Sequence, residues 1–274
     1  MSVVRVSTVE YLNARPLVHG LEARSDLFDL RFYVPAKCAT LLHDGSVDLG
    51  LIPSIEYLQR PDYRVVPGIA VASDGPVASV ALFTQRPTSA IRSIAVDSSS
   101  RTAVALLRVL CAQWFDVEPK FVKMHPDLPA MLKRCDAALL IGDRALFTEH
   151  ETTGLDKVDL GEEWAAMTGL PFVWAFWVGR PDIVQTSHIE ALQMARDAGV
   201  QALDAIVERF VPPSNEDDHV EIARAYLREN VEFSLDDKGR AGLRKFFNAA
   251  SDLGIVQASA TLRFYAPGTR ANAP

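Results

Sequence analysis

The sequence predicts an α/β protein of two lobes around a ligand cleft, with mixed, mainly parallel sheets, and three observations carry that expectation. Short apolar, β-branched runs alternate with helix-like segments over the first sixty residues. The same alternation restarts after residue 92 and runs to residue 142. Two long strand-like pieces, near 80–85 and 172–178, join these units and predict two passages between lobes. On this division one lobe takes 1–84 and 178–274, including the C-terminal helices, and the other takes 85–177.

Taken in order, "VVRVSTV" reads as a buried strand, "ARPLVHGLEA" as a helix and "LRFYV" as a second strand. "AKCATLLHDG" follows as a helix, "VDLGLI" as a strand and "SIEYLQR" as a helix. Strands fed by intervening helices predict parallel pairing with helices on both faces. "YRVVPGIAVASDG" and "PVASVALFT" are long strand-like pieces, and "QRPTSAIR" is a polar connection with a proline. The second unit repeats the layout without repeating the sequence: strand "SIAVDS", helix "TAVALLRVLCAQWF", strand "KFVKM", helix "LPAMLKR", strand "CDAALLIG". "LPFVWAFWVGR" is a further apolar strand between prolines.

Beyond it the pattern turns helical. In "SHIEALQMARDAGVQALDAIVERF" the apolar positions recur near a 3.6-residue period, with Gly199 on the same face weakening the helix. "EIARAYLREN" and "KGRAGLRKFFNAASDLG" continue it, with Gly254 as a C-cap. The tail "APGTRANAP" is expected to be poorly ordered.

Composition narrows the function. A chain of 274 residues, 49% hydrophobic and 23% charged, can bury a sizeable core, and its net charge of −7 disfavours broad nucleic-acid binding. Three widely spaced cysteines, Cys38, Cys111 and Cys135, suit a reducing compartment. No run is long and apolar enough to span a bilayer, and the first residues lack the pattern of a secretory signal, so a cytoplasmic location is expected. The six histidines show no metal-ligand spacing. Dinucleotide, P-loop and α/β-hydrolase signatures are absent. No cofactor and no metal are therefore expected.

Polar stretches fall where strands end, the place where such sheets bind ligands. In "YLNARPL", Asn13 either caps a helix or reaches into a pocket, and Arg15 is either an anion contact or a solvated charge. In "ASDGPVASV", Ser79 is either a small residue on a crowded sheet or a hydroxyl facing the cleft. In "VDSSSRTAV", Ser98, Ser99, Ser100 and Thr102 lead into a helix beside Arg101. Free N–H groups, hydroxyls and a guanidinium there make an anion cradle, a reading that explains more of the stretch than capping does. Asp143 in "LIGDRAL" either caps the next helix or accepts from a ligand hydroxyl; Ser54 after "GLIP" is a weaker candidate of the same kind. Trp174, Phe176 and Trp177 read as core or cleft wall.

Together "YLNARPL", "SDGPVASV", "SSSRTA", "LIGDRAL" and "TGLPFVWAFW", in this order, resemble chorismate dehydratase, the first enzyme of the futalosine route to menaquinone. The resemblance covers about residues 3–180. It implies a periplasmic-binding-protein-like fold of the second type, used by an enzyme that removes water from chorismate to give 3-[(1-carboxyvinyl)oxy]benzoate. It implies that Asn13 and Ser79 are the active-site positions and that Ser99, Ser100, Arg101 and Thr102 bind the dicarboxylate substrate, with no cofactor. The chain is expected to act as a monomer or homodimer, without nucleic-acid or membrane partners. Two alternatives share the fold. One is the later 1,4-dihydroxy-6-naphthoate-forming enzyme of the same route, which begins with a different motif and relies on a histidine. The other is a non-catalytic solute-binding protein for a small carboxylate. A ligand-sensing domain is disfavoured, because no DNA-binding segment is attached.

Overall fold

A computed structural model describes residues 3–60, 62–97, 99, 101–150, 153–211, 218–257 and 260–266. The tail "APGTRANAP" beyond residue 266, and the serines at 98 and 100, lie outside these described residues.

β1 (Val4–Val9) is an almost continuous buried run, and it pairs in parallel with β2 (Phe28–Tyr33). Between them the expected helix over 14–23 is instead three 3-10 turns, at Leu12–Ala14, Pro16–Val18 and Leu21–Ala23. Pro16 removes a ladder N–H and Gly20 adopts a left-handed φ of +77°, so no α-helical ladder can run through. α1 (Pro35–Asp44) starts on a proline and ends at Gly45 in the left-handed region. β3 (Leu49–Pro53) then pairs in parallel with β1, and a 3-10 turn, Ser54–Gln59, takes the place of the next expected helix. β4 (Arg64–Val65) and β5 (Val71–Ser73) complete the first stretch.

The chain then enters the second sheet at β6 (Val80–Thr84). β7 (Ser93–Val96), α2 (Arg101–Gln113), β8 (Lys120–Lys123), α3 (Leu128–Leu132), β9 (Ala137–Ile141) and α4 (Asp143–Leu146) follow. β10 (Asp156–Asp159), α5 (Leu160–Thr168) and β11 (Phe172–Gly179) bring it back. α6 (Thr186–Gln201), α7 (Leu203–Phe210), α8 (Asp218–Ala225), a π-helical turn over Tyr226–Asn230 and α9 (Asp237–Asp252) form the helical end.

The first sheet has the order β2-β1-β3-β11-β4, with β5 also on β11; the second has β10-β6-β9-β7-β8. In each, three parallel strands (β2-β1-β3 and β8-β7-β9) are followed by one antiparallel strand, β11 or β6. The two halves thus share a layout. Both sheets are mixed and mainly parallel, with the one strand arriving from the other half running against the rest. β6 pairs wholly within the second sheet and β11 wholly within the first, so the sheets change over at 74–79 and 169–171. Gly199, the flaw in the helical pattern, has a packing reason: a Cβ there would run into the Pro16 carbonyl. Among the described residues no helix is long and apolar enough to cross a membrane.

Candidate active site

The carboxyl ends of four parallel strands (β1, β3, β7 and β9) converge on one cavity. It encloses about 590 Å³ of atom-free space, mouth included, and its walls include Tyr11, Asn13, Ser79, Arg101, Thr102 and Trp174. This is where loops and helix starts gather in open α/β sheets, and both halves contribute to it.

Asn13 sits in the middle of the first 3-10 turn. The residue in the cap position is Tyr11, with no side-chain cap bond, so the capping role weighed for Asn13 is not used and its amide borders the cavity. The turn is held from the other half: the Leu12 N–H donates to Asp143 at 3.0 Å. Arg15, two residues on, points away. Its guanidinium is sandwiched between Phe32 and Phe210, 4.5 and 4.2 Å from the ring centres, and donates to the Glu10 carbonyl. It is neither an anion contact in the cavity nor a freely solvated charge.

Ser79 is placed by a tight turn. Its N–H donates to the Val77 carbonyl, and Ala78 adopts φ +59°, a conformation a non-glycine residue rarely takes. Asp159 holds the turn in that shape, accepting from Val77 N at 3.0 and 3.1 Å and from Ala78 N at 2.6 Å, while it also caps α5 through Gly161 and Glu162. The Ser79 hydroxyl lines the cavity and lies 2.8 Å from the Tyr226 hydroxyl. Tyr226 is 1% exposed, and Asn13 lies beside it. Burial raises its phenol above the ordinary value, outweighing the opposing pull of Ser79 and Asn13.

The start of α2 differs from the free cradle expected of it. Ser99 lines the cavity, but its hydroxyl donates to Asp97 and its N–H meets the same carboxylate at 3.1 Å. Arg101 also lines the cavity, yet donates to Glu56 at 2.6 Å and Thr40 at 3.2 Å across the cleft. The Thr102 hydroxyl accepts from Ile55 N at 3.2 Å. Ser54 is fully buried 3.5 Å behind Thr102 and does not border the cavity. Asp143 does not border it either, being spent on Leu12; burial raises its carboxyl above the usual value, opposed by the Leu12 N–H and by Arg15. Arg101, Thr102 and Asp143 thus make contacts between the two halves, while Ser99 is engaged within its own. Ser100 falls outside the described residues.

Glu56 completes the tie. Burial would raise its carboxyl, but the His43 hydrogen bond and the Arg101 guanidinium outweigh that and hold it below the usual value. Tyr11 covers the cavity at Gly142, and burial with Asp97 nearby pushes its phenol up to about 12. Trp174 forms wall, its indole N–H fixed on the Ser73 hydroxyl at 3.2 Å. The three cysteines are free and buried. Among the described residues no group of three or more His, Cys, Asp or Glu could hold a metal. Sequence reasoning passed over Tyr226 and Asp159. Tyr226 stands in an ordinary helical pattern and Asp159 in a loop-like stretch, so neither carried a local signal.

A family described as menaquinone biosynthesis matches residues 4–252. A curated chorismate dehydratase of Thermus thermophilus is 31% identical over 256 residues, 87% of this chain and 92% of that protein. One from Campylobacter jejuni is 25% identical over 248 residues, 90% and 93% of the respective chains. Among solved structures, a protein of Archaeoglobus fulgidus superposes with a TM-score of 0.76 at 19% identity, covering 92% of this chain and 98% of its own. The periplasmic aliphatic sulphonate binding protein of Escherichia coli gives 0.70 at 14% identity, over 100% and 95%. A Candida albicans protein with the generic periplasmic binding protein fold gives 0.65 at 16%, over 98% and 99%. The likeness to the solved structures fixes the architecture as periplasmic-binding-protein-like.

Proposed function

The chain belongs to the menaquinone-biosynthesis family, in which its curated relatives are chorismate dehydratases, and we propose that its cleft removes water from chorismate to give 3-[(1-carboxyvinyl)oxy]benzoate. The observation that carries this reading is the meeting of Asn13 and Ser79 on one cavity, beside Arg101 and the first turn of α2. An amide and a hydroxyl borne by distant parts of the chain converge where the ring of a small dicarboxylate fits.

Chorismate carries a hydrogen at C3 and a hydroxyl at C4, and losing both makes a benzene ring. The reaction is therefore downhill, and the enzyme has only to lower its barrier and suppress competing rearrangements. The cavity offers amide, hydroxyl and guanidinium groups but, among the described residues, no strong base on its wall. Positioning and preorganised hydrogen bonds are what such a wall can supply. The C3 proton passes to the carboxylate of the substrate's own enolpyruvyl side chain, held over the ring. The C–H electron pair becomes the new ring double bond as the C4 oxygen departs, and the proton taken from C3 passes on from the carboxyl to that oxygen, which leaves as water. Asn13 orients the accepting carboxylate or the departing oxygen, Ser79 hydrogen-bonds the same region, and the α2 start with Arg101 holds the ring carboxylate. Every step uses substrate and side chains alone, so no cofactor enters.

The test is to incubate purified protein with chorismate and follow products by mass spectrometry. Loss of one water with retention of the enolpyruvyl group is the expected result. Intact chorismate that binds measurably would make the cleft a receptor and end this reading.

A further inference from the structure

Tyr226 has no place in the mechanism above, yet its hydroxyl lies 2.8 Å from that of Ser79, with Asn13 close by. It reaches Ser79 from a π-helical turn, a local widening of helix often met at functional sites. The segment that carries it is clamped on the side of the Ser79 turn. Asn230 donates its side-chain N–H to the Pro76 carbonyl at 3.1 Å, and Glu232 exchanges both backbone hydrogen bonds with Ala72. The phenol is thereby fixed against the 70–79 connection that positions Ser79. It does not border the cavity itself.

We propose that Tyr226 is a positioning residue of this site, its hydroxyl donating to Ser79 from the protein side so that the Ser79 hydrogen is aimed into the cavity at the departing oxygen. The inference rests on the dehydration reading and adds a direction to it. A hydroxyl has one hydrogen, and a phenol buried in this way keeps its own. If Tyr226 donates to Ser79 Oγ, the Ser79 hydrogen is released for another acceptor, and the cavity is the other space Ser79 borders. The phenol oxygen is then left as an acceptor on the side where the Asn13 amide lies. The opposite polarity would turn only Ser79 lone pairs toward an oxygen that gains negative charge as it leaves. Stabilisation that grows in the transition state requires the first arrangement.

The experiment compares wild type, Tyr226→Phe, Ser79→Ala and the double variant in chorismate turnover. Phenylalanine keeps the ring and its packing and removes only the hydroxyl. Losing a donor that touches the reacting atoms costs roughly 100- to 1000-fold, and a group acting through that donor should cost about a tenth as much. Tyr226→Phe should therefore lower kcat roughly 10- to 100-fold with KM changed less than about threefold. The double variant should be no slower than Ser79→Ala, because Tyr226 acts through Ser79. Wild-type kcat in Tyr226→Phe, or losses that multiply in the double variant, would overturn the inference while leaving the dehydratase reading intact. A wild-type protein that leaves chorismate unchanged would overturn both.

Discussion

Asp159 offers the sharpest test of how the Ser79 turn is held. Its two oxygens accept from four backbone N–H groups: Val77 and Ala78 in the turn, Gly161 and Glu162 at the start of α5. In Asp159→Ala the Val77 and Ala78 N–H groups lose their acceptor in a region where Val77 is 1% exposed. A buried donor left unpaired costs about 1–3 kcal/mol, so the pair contributes about 4. Loss of the α5 cap adds about 1 kcal/mol. Relaxation of Ala78 out of its left-handed conformation returns about 1. The net expectation is a destabilisation of about 4 kcal/mol, or a melting midpoint lower by about 10 °C in a chain of this size. Asp159→Asn keeps one acceptor oxygen but sets an amide N–H against a backbone N–H, and should cost about half as much. Urea unfolding read by circular dichroism gives both values, and chorismate turnover should fall in the same order because Ser79 adjoins Ala78. A loss below about 1 kcal/mol for the alanine variant, or equal values for the two variants, would refute this account of the turn.

Asn13→Ala should lower kcat on the order of 100-fold with little change in KM, read from steady-state turnover; matched losses in kcat and affinity would make Asn13 an anchor only. Gly142→Ala should cost about 3 kcal/mol in urea unfolding, because Gly142 has φ +64° and a Cβ there would lie 2.7–2.9 Å from the Tyr11 ring. Glu56 has a lowered carboxyl pKa, so its stabilising effect is complete above the unfolded value of about 4.3 and is lost as pH falls through the folded value. Wild type should accordingly lose stability relative to Glu56→Gln as pH is lowered from about 5 to 3, measured as the difference between their unfolding midpoints.

The α/β layout was legible because its strands are short apolar, β-branched runs between turn signals, which is what a doubly covered strand must be. The early helix was not. "ARPLVHGLEA" has helical spacing, but Pro16 and Gly20 set the backbone more strongly than the spacing does. Which strand of each mixed sheet runs against the others was not legible, since strand direction leaves no mark in composition. Asn13 and Ser79 were legible as strand-end polar residues in a run of ordered motifs, and they do share a cavity. Their support was not legible: Tyr226 lies 147 positions from Ser79, and Asp159 lies 82 from Val77. Side chains that act by holding another residue carry no spacing of their own. The surroundings of the expected cradle were not legible either. Its hydroxyls and guanidinium are present, but a sequence does not reveal that Asp97, Glu56 and Ile55 stand close enough to engage them.

That engagement bears on how a binding-protein fold can host an elimination. Leu12 with Asp143, Ile55 with Thr102, and Glu56 with Arg101 join the two halves beside the cavity. Each tie uses a residue next to, or part of, the wall that Asn13 and Ser79 also form. A wall braced in this way keeps its dipoles pointing one way while charge moves in front of them, and little reorganisation is needed at the moment of reaction. Such a site needs no strong base of its own when the substrate brings a carboxylate and the product gains aromaticity. What it must supply is fixed geometry, since a reacting group displaced by about 1 Å can cost roughly 100-fold. On the proposed reading, turnover therefore depends most directly on the bracing of Ser79 by Asp159 and Tyr226, and of Asn13 by the Leu12–Asp143 bond.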